Sequence, residues 1–305
     1  MKIFSTKKTL VVLAGPTAVG KTACGIELAK HFNTEIISAD SRQIYRETTI
    51  GTAVPSPGQL AQVKHHFIQT VSVVEPYNAS NFEVQVLRKL EHLFDIYDLV
   101  LMVGGSGLYI DAVCHGIDDL PETDPRIRAE LLGRYEKEGL EPLTHELQRL
   151  DPVSYGRVDL QNHMRVLKAL EITIQSGKPY SSFLSATKKE RPFDILRVAL
   201  DLEREELYNR INRRAGLMME AGLLEEVRQL QHLKGYSAMK TVGYRELFRV
   251  LDGELSLSEG VDLIKRNTRK FARKQITWFR KENRYQWFSP VRIHEIAEWI
   301  ENKTG

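Results

Sequence analysis

The stretch GPTAVGKT, Gly15–Thr22, decides the fold of this chain. It follows an apolar run, TLVVLA at residues 9–14, and precedes an amphipathic stretch, TACGIELAKHF. Glycine, four residues and then Gly-Lys-Thr, between a strand and a helix, is the pattern of a loop that wraps phosphates. The glycines let backbone amides approach the anion, and the helix directs the positive end of its dipole at it. The pattern predicts a phosphate-binding loop (P-loop) and leaves open which compound carries the phosphates.

Every residue of this loop is a candidate ligand contact. We expect Lys21 to place a positive charge near the outer phosphates, and Thr22 to offer its hydroxyl to a Mg²⁺ ion. The predicted phosphate-binding residues are Gly15, Pro16, Thr17, Ala18, Val19, Gly20, Lys21 and Thr22. A glycine turn with a chance lysine would give the same letters, but the flanking strand and helix favour the P-loop.

Short apolar runs alternate with amphipathic stretches on both sides of the loop. Strands are predicted at TEIISAD, HHFIQTVS, LVLMVGG, DILRVALDL and RYQWFS, and helices at NFEVQVLRKLEHLFDIY and IHEIAEWI. Apolar strands separated by helices indicate a parallel sheet covered on both faces. Residues 116–192 contain helix patterns with proline and glycine breaks and no strong strand. We therefore predict an α/β fold, with a P-loop core at 1–115 plus 193–305 and an inserted all-helical domain at 116–192.

The composition is that of a globular protein. Of the 305 residues, 42% are apolar and 27% are charged, and no apolar run approaches the roughly 20 residues that span a bilayer. The basic start, residues 1–8, leads directly into the P-loop strand, so we expect no cleaved signal peptide. Cys24 and Cys114 are too few for a disulfide framework and are expected to be small buried side chains. We expect a cytoplasmic monomer that binds no membrane.

Positive charge is concentrated near the end of the chain. The net charge is only +3, but residues 262–284 contain nine Lys or Arg against two acidic residues. Such a local excess on one segment predicts a face that follows the phosphate backbone of a nucleic acid.

The acidic residues separate the classes of P-loop protein. A conventional nucleoside triphosphatase has an acid at the end of a second apolar strand, but LVLMVGG runs into Gly104-Gly105-Ser106. Asp40 instead ends TEIISAD, and the carboxyl ends of parallel strands share one edge of the sheet. We expect Asp40 to face the P-loop ligand, the alternative being that it caps a helix in SRQIYR. Small kinases pair a P-loop with an Asp as well. The residues alone thus leave open attack on a γ-phosphorus or on another group attached to a diphosphate.

Longer blocks of sequence resemble one family. GPTAVGKT, ISADSRQIYRETTIGTAVP, HHFIQTVSVVEPYNASNFE, LMVGGSGLYIDAV, GLLEEVRQL, KTVGYRE and ARKQITWFRKE follow in the order found in tRNA dimethylallyltransferases (tRNA isopentenyltransferases). The chain shows no Cys/His pair of the eukaryotic zinc finger, so the bacterial type is expected. The resemblance implies transfer from dimethylallyl diphosphate to N6 of the adenosine 3′-adjacent to the anticodon, in tRNAs that read codons beginning with U. Pyrophosphate is released and no phosphoryl group moves, which accounts for the missing strand-end acid.

The resemblance also implies roles for individual residues. The implied catalytic residues are Asp40, Lys21, Thr17 and Arg214. Asp40 would take the proton of the N6 amine, which is a weak nucleophile, and Thr22 would lie next to the cofactor Mg²⁺. Arg214 would neutralise the leaving pyrophosphate, although its neighbours Arg210 and Arg213 could take that place.

Several stretches correspond to positions that face the tRNA anticodon stem-loop, in which the target base must leave the stack. They are Asp40, Ser41, Arg42, Gln43, Ser106, Arg128, Met164, Arg165, Val166, Leu167, Lys168, Lys240, Thr241, Val242, Gly243, Tyr244, Arg245, Arg273, Lys274, Gln275, Ile276, Thr277, Trp278, Phe279 and Arg280. Ser106 stands where the family usually has Thr and keeps the hydroxyl. For the last stretch the alternative is a solvated basic helix packed by Ile276 and Trp278.

Two other functions fit parts of the sequence. A P-loop kinase of a small metabolite would turn over ATP and would not need the basic segment. An RNA-binding protein whose P-loop only senses a nucleotide would not depend on Asp40. His65 and His66 suggest a metal site, but adjacent strand residues face opposite sides and no acid or cysteine completes a ligand set, so a structural role is expected.

Overall fold

A parallel sheet forms the centre of the computed structural model, which describes residues 8–118, 120–121, 124–184 and 189–305. Its strand order is β3-β2-β4-β1-β5-β6, and every paired neighbour is parallel. The strands are β1 Thr9–Ala14, β2 Ile36–Ala39, β3 His65–His66, β4 Leu99–Gly104, β5 Asp194–Leu200 and β6 Gln286–Phe288. The predicted parallel α/β sheet is confirmed. The basic start, apart from Lys8, lies outside the described residues.

The register brings the carboxyl ends of the central strands level. Ala14 at the end of β1 pairs with Gly104 of β4 and with Ala199 of β5, and Ala39 at the end of β2 also pairs with Gly104. Every residue of β1 and β2 is buried. The segments that follow these strands, with the P-loop, Asp40 and Gly105, therefore begin at one edge of the sheet.

Strand β3 is much shorter than the predicted strand HHFIQTVS. Only His65 and His66 pair with β2. Phe67 and Gln69 have φ values of 64° and 51°, in the left-handed region that strands do not use. The chain therefore leaves the sheet directly after His66.

The helices cover both faces of the sheet and form the inserted segment. They are α1 Lys21–His31, α2 Pro57–Leu60, α3 Ala79–Phe94, α4 Gly107–His115, α5 Pro125–Glu138, α6 Glu141–Leu150, α7 Pro152–Tyr155, α8 His163–Ser176, α9 Arg204–Glu220, α10 Leu223–Gln229, α11 Tyr244–Leu251, α12 Leu257–Arg280 and α13 Ile293–Thr304. The basic segment lies on α12, which begins with a reciprocal capping pair of Ser256 and Glu259.

The chain separates into two compact units. One contains the sheet and runs up to His115 and again from Arg191, and the other is Gly116–Glu190. The described residues of the second unit contain α5 to α8 and no strand. Its core packs leucines such as Leu131, Leu143 and Leu147, and its buried Asp151 accepts hydrogen bonds from the backbone and hydroxyl groups of Ser154 and Ser181.

The two cysteines are buried and unpaired, as predicted. Burial raises the pKa of Cys24 to about 12 and that of Cys114 to about 11, so both thiols stay protonated. Among the helices that the structure describes, none is long and apolar enough to cross a membrane.

We predict that Gly104→Ala lowers the free energy of unfolding by about 3 kcal/mol, because the site leaves no room for a methyl group. A Cβ at Gly104 would lie 2.1 Å from the carbonyl oxygen of Ala39, and two paired strands cannot separate locally. Urea unfolding followed by circular dichroism measures the change. The control is Gly216→Ala in α9, where nothing lies within 4 Å and stability should stay equal or rise. Equal midpoints for wild type and Gly104→Ala would refute this account of the close approach.

Candidate active site at the carboxyl ends of the strands

The P-loop has the backbone shape that its sequence predicts. Gly15 and Gly20 have φ values of 149° and 114°, and a Cβ on Gly15 would lie 2.8 Å from the carbonyl oxygen of Leu200. Gly20 directly precedes α1, and none of the described side chains caps the amino end of that helix. The amides of the first turn are therefore available to an anion.

A cavity of about 510 Å³ opens next to this loop. Residues of the P-loop line it on one side together with Arg210 and Arg214 of α9. Asp40, Gln43 and the loop 52–55 line another part, and α12 contributes the exposed Phe271. The cavity thus joins the segments after β1 and β2, in agreement with their expected position at one edge of the sheet.

Two cations lie beside one carboxylate in this cavity. The Lys21 ammonium donates to the carbonyl oxygens of Gly15 and Pro16, at 3.0 and 2.7 Å. Burial lowers the pKa of Lys21 to about 8, the Asp40 carboxylate opposes this, and Arg214 lowers it further. Burial also lowers the pKa of Arg214, and Asp40 again acts in the opposite direction. The arrangement suits a ligand that carries several negative charges.

The three neighbouring arginines of α9 differ in their position relative to the P-loop. The Arg214 guanidinium donates to the hydroxyl of Thr17 at 3.4 Å, and Arg210 donates to the carbonyl of Val19 at 3.3 Å. Arg213 is exposed and does not line the cavity. Arg214 therefore lies next to the P-loop, and Arg210 is a second cation that lines the cavity.

Backbone amides hold the Asp40 carboxylate. Its Oδ1 accepts from the amides of Arg42 and Gln43, at 2.9 and 3.3 Å. Residues 41–44 form turns and not the helix considered for SRQIYR. Asp40 thus caps a turn and lines the cavity at the same time.

The hydroxyl of Ser106 holds Ser41, the residue that follows Asp40. It accepts from the amide of Ser41 at 2.9 Å and lies 3.1 Å from the Ser41 hydroxyl. The segments after β2 and β4 are therefore joined beside Asp40.

Gln275 has a position that the sequence did not reveal. Its Oε1 accepts from the amide of Thr17 at 2.8 Å, and its Nε2 donates to the carbonyl of Gly105 at 2.9 Å. The side chain is buried, in line with Ala272 and Phe279 on the inner side of α12. A polar residue in an apolar stripe at helical spacing is the signal that could have indicated this bridge.

The stretches predicted to face tRNA present only part of their side chains. In the sheet-containing unit, the exposed members are Lys240, Arg245, Arg273, Lys274, Thr277, Trp278 and Arg280. Gly243, Tyr244, Gln275 and Phe279 are buried there. An amphipathic helix turns only one side to solvent, so any direct side-chain contact must come from the exposed members.

The inserted unit shows the same division. Met164 and Arg165 are exposed, Lys168 is half-buried, and Val166 and Leu167 are fully buried in the core of that unit. Arg128 is bound to the buried Glu171 at 2.6 Å. Within this stretch, only the side chains that reach the surface could contact RNA directly.

The two adjacent histidines have different surroundings. His66 Nε2 lies 2.6 Å from a carboxylate oxygen of Glu35. His65 Nδ1 is 2.8 Å from the carbonyl of Val63, burial lowers its pKa, and it lines the cavity. Within the described residues no three His, Cys, Asp or Glu side chains are grouped to hold a metal ion.

Sequence relatives cover nearly the whole chain. Residues 43–282 match the family model described as IPP transferase. A protein named tRNA dimethylallyltransferase 1 from Phocaeicola vulgatus is 49% identical over 96% of this chain and 97% of its own length. A tRNA dimethylallyltransferase from Flavobacterium johnsoniae is 47% identical over 96% of this chain and 97% of its own length.

Solved structures resemble this chain as well. The full-length tRNA isopentenylpyrophosphate transferase of Bacillus halodurans has a TM-score of 0.72 and 34% identity, covering 98% of this chain and 97% of the other. A eukaryotic dimethylallyltransferase acting on tRNA has a TM-score of 0.74 and 24% identity, covering 97% and 77%. At that identity the second match concerns the fold alone.

We predict that an alkyl diphosphate binds about tenfold more weakly at pH 9.5 than at pH 8, because Lys21 loses its charge above its pKa of about 8. Phosphate groups, with a second pKa of about 6, do not change charge in this range. Calorimetric titration at constant ionic strength measures the dissociation constant. Lys21→Arg stays charged and should remove the pH dependence. If the affinity of Lys21→Arg still fell between pH 8 and pH 9.5, the pH dependence would belong to another group.

Proposed function

The chain belongs to the IPP transferase family and is a tRNA dimethylallyltransferase, and we propose how its cavity carries out the transfer. The dimethylallyl group comes from dimethylallyl diphosphate. It goes to N6 of the adenosine 3′-adjacent to the anticodon in tRNAs that read codons beginning with U. The observation that carries this proposal is the meeting of Asp40, Lys21 and Arg214 in one cavity at the P-loop.

The end of β4 argues against phosphoryl transfer. A P-loop nucleoside triphosphatase places an acidic residue there to hold the metal hydration shell. In this chain β4 ends at Gly104, and Gly105 and Ser106 follow. Binding and release of a diphosphate do not need that acid.

The proposed reaction uses the two sides of the cavity differently. The N6 nitrogen forms a bond to C1 of the dimethylallyl group, and the bond from C1 to the diphosphate oxygen breaks. The proton of the amine goes to Asp40 as general base, which strengthens a weak nucleophile. The electron pair of the broken bond leaves with pyrophosphate, whose charge Lys21, Arg214 and the amides of the P-loop stabilise.

The residues present fit a Mg²⁺ ion that is bound mainly by its ligand. Thr22 lines the cavity, and the described part of the chain offers no cluster of three ligating side chains that would form a complete cage. Mg²⁺ commonly takes one or two protein oxygens, phosphate oxygens and water, which the Thr22 hydroxyl and a diphosphate would supply. Bound there, the ion would neutralise negative charge on the diphosphate.

Exposed cations in each unit support binding of the anticodon stem-loop. Arg273, Lys274 and Arg280 are exposed on α12, where Arg280 pairs with Asp201 at 2.7 Å, and Arg165 is exposed in the inserted unit. We propose that they bind RNA phosphates, whereas the segment Asp40–Gln43 contacts the adenosine after it leaves the stack.

We also propose a monomeric, cytoplasmic enzyme that does not bind membranes. Every proposed catalytic group lies in one unit of one chain, and tRNA is a cytoplasmic substrate. Light scattering of the purified chain with and without tRNA tests the monomer.

One experiment tests reaction and donor together. Unmodified tRNA with an anticodon that reads a codon beginning with U is incubated with Mg²⁺ and either dimethylallyl diphosphate or ATP. Nucleoside mass spectrometry should find one dimethylallyl group on adenosine with the first donor only. Transfer of phosphate from ATP, without the dimethylallyl product, would favour the kinase.

We predict that Asp40→Ala lowers the single-turnover rate by about 10² or more, because the amine loses its general base. The affinity for tRNA should change by no more than a few fold. Asp95→Ala is the control, since Asp95 is exposed at the end of α3 where the chain enters the opposite edge of the sheet. An unchanged rate in Asp40→Ala would reject the assignment of the base.

We predict that Arg214→Gln lowers the turnover number by about 10² or more, because the developing charge on pyrophosphate loses a cation that lines the cavity. The matched control is Arg213→Gln, which removes an adjacent but exposed arginine and should keep nearly full activity. Steady-state kinetics with saturating tRNA give both values. Similar losses in the two variants would mean that charge at this part of α9 matters and position does not.

A further inference from the structure

A carboxylate outside the cavity gathers four hydrogen-bond donors. Glu226 lies on α10, and its side chain does not line the cavity. It accepts from three consecutive amides, those of Thr49, Ile50 and Gly51, at 3.2, 2.8 and 3.0 Å. It also accepts from the hydroxyl of Tyr244 at 2.5 Å. The proposed reaction gives Glu226 and its four donors no part.

Tyr244 makes the arrangement rigid. Its side chain is fully buried, and a Cβ on Gly51 would lie 2.5 Å from its ring. Burial and the neighbouring Glu226 carboxylate raise the pKa of the Tyr244 hydroxyl far above its usual value. The hydroxyl therefore remains a donor to Glu226 at any physiological pH.

The same loop contacts a residue of the cavity. The amides of Ala53 and Val54 donate to the carbonyls of Ile50 and Thr49, at 3.0 and 3.1 Å, and fold the loop 49–54 into a turn. The carbonyls of Thr52 and Ala53 accept from the side-chain amide of Gln43, at 3.2 and 2.8 Å.

Gln43 in turn holds Asp40, because its backbone amide is one of the two donors to the Asp40 carboxylate. A continuous path of hydrogen bonds thus runs from Glu226 through the loop 49–54 and Gln43 to Asp40. We propose that Glu226 is a positioning residue that orients the Asp40 carboxylate through this path. The inference rests on the proposed role of Asp40 as general base.

The effect of Glu226 on the rate follows from geometry. A general base must lie within hydrogen-bond distance of the proton that it takes, and a displacement of about 1 Å can cost about 10² in rate. Without Glu226, three amides and one hydroxyl lose their acceptor, so the loop rearranges to find others. The carbonyls that hold Gln43 move with it. The P-loop shares none of these bonds, so the contacts of the P-loop with the diphosphate are spared.

The test is a set of single-turnover rates with saturating tRNA and dimethylallyl diphosphate. Glu226→Ala should lower the rate about thirtyfold, and the dissociation constant of dimethylallyl diphosphate should stay within threefold of wild type. Glu226→Gln, which keeps one oxygen acceptor, should recover part of the loss. Glu225→Gln is the matched control, since Glu225 is the exposed neighbour that pairs with Arg228. It should equal wild type.

A double-mutant cycle with Gln43→Ala separates positioning from general damage to the fold. If the path through Gln43 carries the effect, Glu226→Ala adds little once Gln43 has been replaced. Additive losses, or an unchanged rate in Glu226→Ala, would overturn the proposal. Should Glu226→Ala fail to fold, Glu226→Gln and Tyr244→Phe are measured in the same cycle. Failure of the wild-type enzyme to transfer the dimethylallyl group would instead count against the proposed function.

Discussion

The close approach of two strand ends is the constraint on which the site depends. At Gly104 the backbone of β4 lies so near to Ala39 of β2 that a methyl group cannot enter. This approach keeps the segments after β2 and β4 adjacent, where Ser106 bonds to Ser41. Because Ala14 pairs with the same glycine from the other side, the P-loop starts at the same level. The sheet therefore determines where the proposed catalytic groups lie.

The charged groups of the cavity include two cations, Lys21 and Arg214, and one carboxylate, Asp40. Lys21 and Arg214 are both half-buried cations near Asp40, and each has a lowered pKa because loss of hydration outweighs the attraction of the carboxylate. Because two cations face one carboxylate, the site keeps a net positive charge and favours an anionic ligand. The carboxylate itself is held by amides of its own turn, so it keeps its direction beside the cations.

Local patterns predicted the fold well, and the site only in part. The apolar runs predicted β1 and β4, and the glycine pattern predicted the P-loop, because both depend on neighbouring residues. The predicted length of β3 was wrong, because the hydrophobic pattern does not indicate the left-handed conformations at Phe67 and Gln69. The bridge made by Gln275 joins residues 258 positions apart. No local pattern contains such a contact, and only a resemblance to known sequences marked the segment as functional.

Gln275 also makes α12 a spacer of fixed length. One side of this helix is bonded to the P-loop and to the end of β4, whereas the other carries exposed cations. A helix rises about 1.5 Å per residue, so Arg280 lies about 7.5 Å along the axis from Gln275. In the proposed complex, a phosphate bound at Arg280 would then lie at a fixed distance from the diphosphate, because α12 is anchored by Gln275 and also by the bond from Trp278 to Asp111. Under the proposed function, the enzyme would select the adenosine by its distance along the RNA, because only a nucleoside at the matching spacing would reach Asp40.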